Sequence, residues 1–347
     1  MKVSEQQTDT EVTPILQAVG ISKHYALRRS LMKRLKGEPA RVVRAVDNVN
    51  LSIYPGEVIG VIGESGCGKT TLGKVLCRLV DSTSGQLFLN GDDLLAIHGE
   101  KLRLLRPQFQ MLFQNPYSTL NPKLNVFRTL EETLLVNFEM TAEERKTKVR
   151  EILKQVGLES KELSFPTEMS GGERRRVGLA KLLLLRPRLI IADEPVAGLD
   201  ASIKARVVDL MLNARTEEMA YLFISHDLHV IHYVSDRILV MYLGMIVEEL
   251  PVSTFDEHTH HPYTETLLSA ARQVSLKKDA QDDLGFEDLP SHSELESEGC
   301  PYVARCPLAG LKVDKERCLH ERPPLHLVAE QHRIACHVFE EKEGDLS

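Results

Sequence analysis

The run Gly63-Glu64-Ser65-Gly66-Cys67-Gly68-Lys69-Thr70-Thr71 carries the residue types, in the right order, for holding a polyphosphate. It reads G-x-x-x-x-G-K-T. The glycines allow consecutive backbone N–H groups to turn toward phosphate oxygens, and a helix beginning beside them adds the positive end of its dipole. Lys69 would reach the terminal phosphates, and the Thr70 hydroxyl would bind Mg²⁺. A glycine-rich turn without a ligand would leave the lysine and the hydroxyl unexplained. A second candidate set lies downstream, where Leu189-Ile190-Ile191-Ala192-Asp193-Glu194 is an apolar run ending in two carboxylates. Beside a nucleotide, Asp193 would hold Mg²⁺, usually through water, and Glu194 would orient and polarise the attacking water. As packing, two adjacent acids at a buried edge are costly; a structural ion pair is the competing account. His226, after Phe223-Ile224-Ser225, could bond a γ-phosphate or that water, although a lone His is more often structural. Gln114 offers a carbonyl for Mg²⁺ and an amide for the water.

The elements that must position these groups alternate along the chain. Val58-Ile59-Gly60-Val61-Ile62, bounded by Pro55-Gly56-Glu57, reads as a buried strand feeding the loop, and 71–79 has apolar residues at helical spacing. Strand patterns occupy 15–25, 44–53 and, with a turn, 86–91. A basic segment between Ala26 and Val43 is either a solvated surface excursion or a contact for anionic lipid or a partner. From 104 to about 180 few strand signals occur. Helical patterns cover 126–136 and 141–156, the latter opened by a capping box of Thr141 and Glu144. Beyond Ser170 come a helix to about Leu185, the strand ending at Glu194, an amphipathic helix over 201–218 and a strand over 221–226. A hairpin turns near Gly244. Such alternation implies an α/β fold with a mostly parallel sheet and its ligand at the carboxyl ends of the strands. The pattern loosens after Pro251, and 276–298 is polar, acidic and linker-like.

A chain of 347 residues suggests two domains or one with an appendage, and 42% hydrophobic with 27% charged residues is ordinary for a globular protein. Net charge of −7, with a pI near 6.0, argues against a nucleic-acid coat. No apolar run approaches the ~18 residues that span a bilayer, and the first residues lack a signal-peptide core. A cytosolic chain with reduced thiols is therefore expected. There, metal or cluster binding outranks disulfides for an organised set of cysteines.

Taken together, the motifs resemble those of an ATP-binding cassette ATPase of a membrane transporter, in order and spacing over 15–250. Gly63 to Thr70 is similar to that family's phosphate loop, Gln114 to its lid glutamine, and Ser170-Gly171-Gly172-Glu173 to its signature. Leu189 to Glu194 resembles the magnesium strand with its catalytic glutamate, Ala197-Gly198-Leu199-Asp200 the loop at the dimer interface, and His226 the switch histidine. Tyr25 falls where the family stacks an aromatic ring on adenine, and Val46 where it packs an apolar side chain beside it. The resemblance implies a cassette core with an antiparallel β subdomain and a helical subdomain. It also implies ATP and Mg²⁺ as ligands, and ATP sandwiched between two subunits, each signature completing its partner's site. Glu173 stands where Gln is commoner, and Ala197-Gly198 where Ser-Ala is. Neither change removes a phosphate or metal ligand, so hydrolysis is expected.

The lid loop 113–122, the run 242–248 and His261-Pro262-Tyr263-Thr264 resemble the oligopeptide, dipeptide and nickel importers within that family. The tail, with Cys300, Cys306, Cys318 and Cys336, resembles the C-terminal extension of that branch, which implies a bound [4Fe–4S] cluster. From the residues alone, gaps of five, eleven and seventeen between these cysteines are wider than the paired CxxC of a zinc ribbon, yet Zn²⁺ stays open as an alternative. Cys67 and Cys77 read as packing residues. The expected organisation is a tail over 1–14, an ATPase domain over 15–250 with a helical part at about 104–180, and an extension over 251–347. The partners implied are a second, related ATPase subunit forming a heterodimer with this one, two transmembrane permease subunits and an extracellular or periplasmic substrate-binding protein, with the chain peripheral at the cytoplasmic face. A non-transport cassette ATPase of DNA repair or translation is the alternative. A repair ATPase would place a long coiled coil between Lys69 and Asp193, where no sustained heptads occur; a translation factor would usually carry two cassettes.

Overall fold

The computed structural model describes residues 13–26, 42–113, 120–257, 260–276 and 299–344. Gln114, most of the lid loop, the basic segment at 27–41 and the acidic stretch at 277–298 lie outside the described residues.

The apolar run before the phosphate loop is β3 (Val58–Ile62), buried at every position. A strand covered on both faces has no polar side to show, so its sequence is continuous rather than alternating. The same holds for β7 (Leu189–Asp193) and β8 (Ala220–Ile224). These join β6 (Phe109–Leu112), β9 (Arg237–Tyr242), β10 (Met245–Pro251), β11 (His326–Ala329) and β12 (His332–Ile334) in one sheet of order β11-β12-β10-β9-β3-β8-β7-β6. The β9-β3-β8-β7-β6 part is parallel, and the other pairings are antiparallel. A second, antiparallel sheet has the order β2-β1-β4-β5, with β1 (Leu16–Ala26), β2 (Val42–Ile53), β4 (Ser84–Leu89) and β5 (Asp92–Asp93). Between the sheets runs α1 (Lys69–Leu76), with Leu72, Val75 and Leu76 buried in the same core as Ile191, Ile224 and Leu16.

Two helices are shorter than the apolar spacing predicts. The first stops at Leu76 rather than Leu79 because Arg78 adopts a left-handed φ of 51°. Arg106 then donates to the freed carbonyls of Cys77 and Arg78, at 2.7 and 2.8 Å. Likewise α6 (Ala201–Asn213) ends five residues before Glu218, and the chain turns through Thr216 to return as β8. The stretch from about 104 contains β6, which the sequence reading missed. Only four residues long, it shows no full alternation of its own and is specified by pairing with β7.

After a short α2 (Gly99–Leu105), the helices expected at 126–136 and 141–156 are α3 (Val126–Asn137) and α4 (Ala142–Gln155). The Thr141/Glu144 capping box is formed, the Thr141 N–H donating to Glu144 at 2.7 Å. Both pack on α5 (Gly171–Leu184) through Leu130, Leu134, Val149, Leu153 and Val177. α7 (Leu228–Val234) precedes the hairpin, and after Pro251 order continues with α8 (Pro262–Leu276) and α9 (Lys315–His320), while β12 pairs with β10. The tail therefore shares the sheet that carries the phosphate loop. Among the described residues, no helix is long and apolar enough to cross a membrane.

Candidate functional site

The phosphate loop sits between β3 and α1, and two of its glycines are required by space. At Gly63 (φ 150°) a Cβ would stand 2.1 Å from the Met241 carbonyl oxygen, and at Gly68 (φ 115°) 2.0 Å from that of Ala45. No side chain fits such gaps. Ser65, Gly66 and Thr70 are exposed, while Gly63, Glu64, Cys67 and Lys69 are buried. The Lys69 ammonium donates to the carbonyls of Gly63 and Glu64 at 2.6 and 2.9 Å, which holds a positive charge over the loop. Cys67 is wholly buried and burial pushes its thiol up, as expected of a packing residue; Cys77 is pushed up to about 12 for the same reason.

At the foot of the loop the Thr70 hydroxyl donates to Asp193 Oδ1 at 3.0 Å, joining residues 123 apart in sequence. Burial, with some help from the charge of Glu194, raises the Asp193 carboxyl above its ordinary range, against the pull of the Thr70 bond. A hydroxyl and a carboxylate meeting beside an anion-binding loop form a hard-oxygen pair of the kind that Mg²⁺ accepts, with water and phosphate filling its other positions. The donor set fits the ion.

Glu194 lies one residue past β7, and its φ of 49° is left-handed, a conformation costing a non-glycine residue on the order of 1 kcal/mol. Its N–H donates to the Ile224 carbonyl at 2.8 Å, which fixes the bend. Because β7 and β8 run parallel in register, Glu194 emerges beside His226. Its carboxylate accepts the His226 N–H at 3.0 Å, meets His226 Nδ1 at 2.8 Å and accepts the Ser225 hydroxyl at 3.4 Å. This hydrogen bond to Glu194 raises the His226 pKa. The Glu194 side chain is largely buried, and the His226 ring is 70% exposed. A carboxylate anchored on one side, with an exposed imidazole beside it, can accept a proton from a water at the strand ends.

Ser170 caps α5. Its hydroxyl accepts the Glu173 N–H at 3.2 Å, and the Glu173 carboxylate accepts the Ser170 N–H at 2.7 Å and pairs with Lys161 at 3.1 Å. Glu173 thus completes a capping box, a role that the spacing Ser170-x-x-Glu173 carried and that the sequence reading did not draw. Ser170 and Gly171 are exposed at the start of the helix, and Gly172 is buried with Ile203 Cγ2 3.0 Å from where its Cβ would be. Asp200, exposed, precedes α6. Tyr25 keeps an exposed ring with Lys23 Nζ 5.0 Å from its centre. Val46 is wholly buried in the core and leaves no surface for a purine.

The four late cysteines converge although they come from separate segments, Cys318 from α9 and the others from the chain on either side of it. Cys300 N–H donates to the Cys318 carbonyl at 2.8 Å, and all four are free thiols. Burial pushes Cys300 up to about 12 and Cys336 up to about 11, and the nearby thiols add to both. The four thiols share one neighbourhood, and a metal group there would require them as thiolates.

Two long-range networks were invisible in the sequence. Glu248, wholly buried, accepts His260 Nδ1 at 2.9 Å, His332 Nε2 at 2.8 Å and the His261 N–H at 3.0 Å, with the Thr264 hydroxyl also bonded. These bonds hold its carboxyl at about 2 against the upward push of burial. In the other, Arg305 reaches back to Glu64 of the phosphate loop. No periodicity signals either, because the partners lie up to 241 residues apart.

Known proteins share this fold and much of this sequence. The ABC transporter family model matches residues 46–197, and the model of the oligopeptide/dipeptide transporter C-terminal region matches 247–312. The chain is 39% identical over 332 residues to the oligopeptide transport ATP-binding protein AppF of Bacillus subtilis, covering 94% of this chain and 97% of the relative. It is 38% identical over 303 residues to the dipeptide transport ATP-binding protein DppF of Escherichia coli, covering 86% and 89%. Among solved structures, the dimeric post-hydrolysis ATP-binding cassette MJ0796 bound to ADP and Pi aligns with a TM-score of 0.60 at 25% identity, over 68% of this chain and 98% of that one. CbiO1 of Clostridium perfringens, part of an ABC transporter complex, shares the fold with a TM-score of 0.61 at 22% identity, over 76% and 96%.

Proposed function

Because the chain belongs to the family of ATP-binding subunits of oligopeptide and dipeptide ABC transporters, we propose that it powers peptide uptake by closing on ATP with a second ATPase subunit and reopening after hydrolysis. ATP hydrolysis coupled to transport is the activity of this family. The observation that carries the assignment to particular residues is the adjacency of two pairs, Thr70 with Asp193 and Glu194 with His226, at the carboxyl ends of neighbouring strands.

In this reading the N–H groups of 63–71 cradle the phosphates, and Lys69 exchanges its carbonyl partners for the terminal phosphates. Thr70 and Asp193, with Gln114 from the lid loop, would hold Mg²⁺, which neutralises phosphate charge. Glu194 orients a water and accepts its proton as the oxygen attacks the γ-phosphorus, ADP leaving with the electron pair of the broken bond. His226 steadies Glu194 and the γ-phosphate. Tyr25 would stack on adenine. Ser170, Gly171 and Gly172 would cap the phosphate of the partner's ATP, with Asp200 at the interface of the pair. Loss of the bridging γ-phosphate then releases the dimer, and closure and release would move two permease subunits between their open states. A peripheral place at the cytoplasmic face, and a substrate-binding protein on the other side, complete the assembly. Alignment with relatives named for oligopeptide and dipeptide transport supports peptides as cargo.

The four converging thiols Cys300, Cys306, Cys318 and Cys336 would hold a [4Fe–4S] cluster, with Zn²⁺ the alternative. Tetrahedral zinc at ~2.3 Å from each sulfur would draw the sulfurs to about 3.8 Å from one another. Among the described residues, the metal-sized groups whose ligand atoms lie within 4.8 Å of one another are Glu248–His260–His332 and Glu321–His337–Glu340, and no set of these sulfurs is among them. Protein purified without oxygen should be brown and carry about four iron atoms per chain; a colourless, zinc-loaded chain would reject the cluster. For the ATP site, Lys69→Ala should abolish Mg–ATP binding by the purified chain, and retained binding would reject the site.

A further inference from the structure

An acidic side chain inside an anion-binding loop is an electrostatic contradiction, and Glu64 is one. Its carboxylate is 4% exposed, so its charge is poorly screened by water. The tail resolves the contradiction. Arg305 Nη1 donates to both carboxylate oxygens of Glu64, at 3.0 and 3.2 Å. The guanidinium lies 5.9 Å from the centre of the Tyr302 ring, which packs edge-on against Tyr242 at 5.2 Å and on Tyr263 at 5.5 Å. The Tyr263 hydroxyl in turn accepts the Glu64 N–H at 2.8 Å. Glu64 is therefore held at its side chain by the tail and at its backbone by α8, while its carbonyl binds Lys69. The tail also reaches the second sheet, where Arg322 pairs with Asp47, next to Val46, at 3.1 Å.

We propose that Arg305 is a positioning residue for nucleotide binding: it neutralises Glu64 and so keeps the phosphate loop receptive to a triphosphate, making ATP affinity depend on the folded C-terminal tail. The proposal rests on the reading of 63–71 as an ATP site. Without Arg305, a buried carboxylate would face the incoming phosphates, and Lys69 would be drawn toward it. The effect falls on binding, so the KM for ATP rises while turnover at saturating ATP holds. Because Cys306 follows Arg305 directly, whatever orders that thiol also orders the guanidinium.

A double-mutant cycle on the full chain, read by Mg–ATP affinity, tests this. Arg305→Met should weaken binding about tenfold in the presence of Glu64 and less than about threefold when combined with Glu64→Gln, since the acid needing neutralisation is gone. Arg305→Lys should recover most of the affinity, and Arg317→Met, which breaks exposed pairs with Glu321 and Glu340 in the same tail, should leave it unchanged. Wild-type affinity in Arg305→Met, or an equal loss with and without Glu64→Gln, would overturn the proposal. Should Arg305→Met not fold, Arg305→Met with Glu64→Gln against Glu64→Gln alone decides: a tenfold gap refutes. A wild-type chain that fails to bind Mg–ATP would overturn the ATP site itself, and with it this inference.

Discussion

Glu194→Gln removes one negative charge and almost nothing else. The Gln carbonyl can accept both His226 contacts that Glu194 Oε1 now makes, at 3.0 and 2.8 Å, and its amide can donate to the Ser225 oxygen, 3.4 Å from Oε2. The left-handed bend at φ 49° is held by the backbone bond to Ile224, which the substitution does not touch. Fold and ATP binding should therefore survive. The amide cannot take a proton from water, and a positioned general base is worth 10²- to 10⁴-fold, or about 3–5 kcal/mol of barrier. Steady-state phosphate release by the assembled transporter should fall by that factor, with Mg–ATP affinity within about threefold of wild type. An independent readout is the titration of His226. Its pKa is raised first by the hydrogen bond to Glu194 and should drop in the variant, as followed by NMR of the ring protons. Undiminished turnover would refute the role of Glu194, and lost turnover explained by lost ATP affinity would refute the claim that it acts on chemistry rather than on binding.

Gly68→Ala should reduce Mg–ATP affinity at least about 100-fold, because the new Cβ would lie 2.0 Å from the Ala45 carbonyl oxygen; Gly91→Ala, with a φ of 88° but nothing within 4 Å, should cost only the ~1 kcal/mol of strain and leave binding intact. Equal effects of the two in a nucleotide-binding titration would refute the steric account. Burial lowers His261 from 6.5 to about 4 and holds it neutral, with its Nδ1 accepting the Tyr263 N–H at 3.1 Å. A depressed folded pKa contributes stability above pH 6.5 that is lost as pH falls toward 4, about 3 kcal/mol here. The facing Glu248, lowered to about 2, loses its contribution mostly below that window, and His260, raised by its Glu248 bond against burial, keeps its own throughout it. His261→Asn, which preserves an acceptor, should flatten the fall in urea-unfolding free energy between pH 6.5 and 4; a wild-type slope in the variant would sink this assignment.

What could be read without coordinates was whatever the backbone repeats or a motif states within a few residues. The buried strand at 58–62, the loop at 63–71, the Thr141 and Ser170 helix starts and the apolar run into Asp193 follow from local spacing, and they identified the nucleotide chemistry. Local spacing also overran the ends of α1 and α6, because Arg78 and Ala214 look helical until the surrounding packing is known. Four-residue β6 left no pattern of its own and exists because β7 offers it an edge. Tertiary structure alone decided which distant groups meet. Thr70 finds Asp193 across 123 residues, Glu194 finds His226 because two parallel strands share a register, and the tail joins the ATPase sheet through β12. It also decided that Glu64, in sequence only a variable position of a phosphate loop, is a buried acid requiring Arg305. Periodicity reports on a residue and its near neighbours, whereas the charge that a buried carboxylate demands is supplied by whichever part of the chain packs against it.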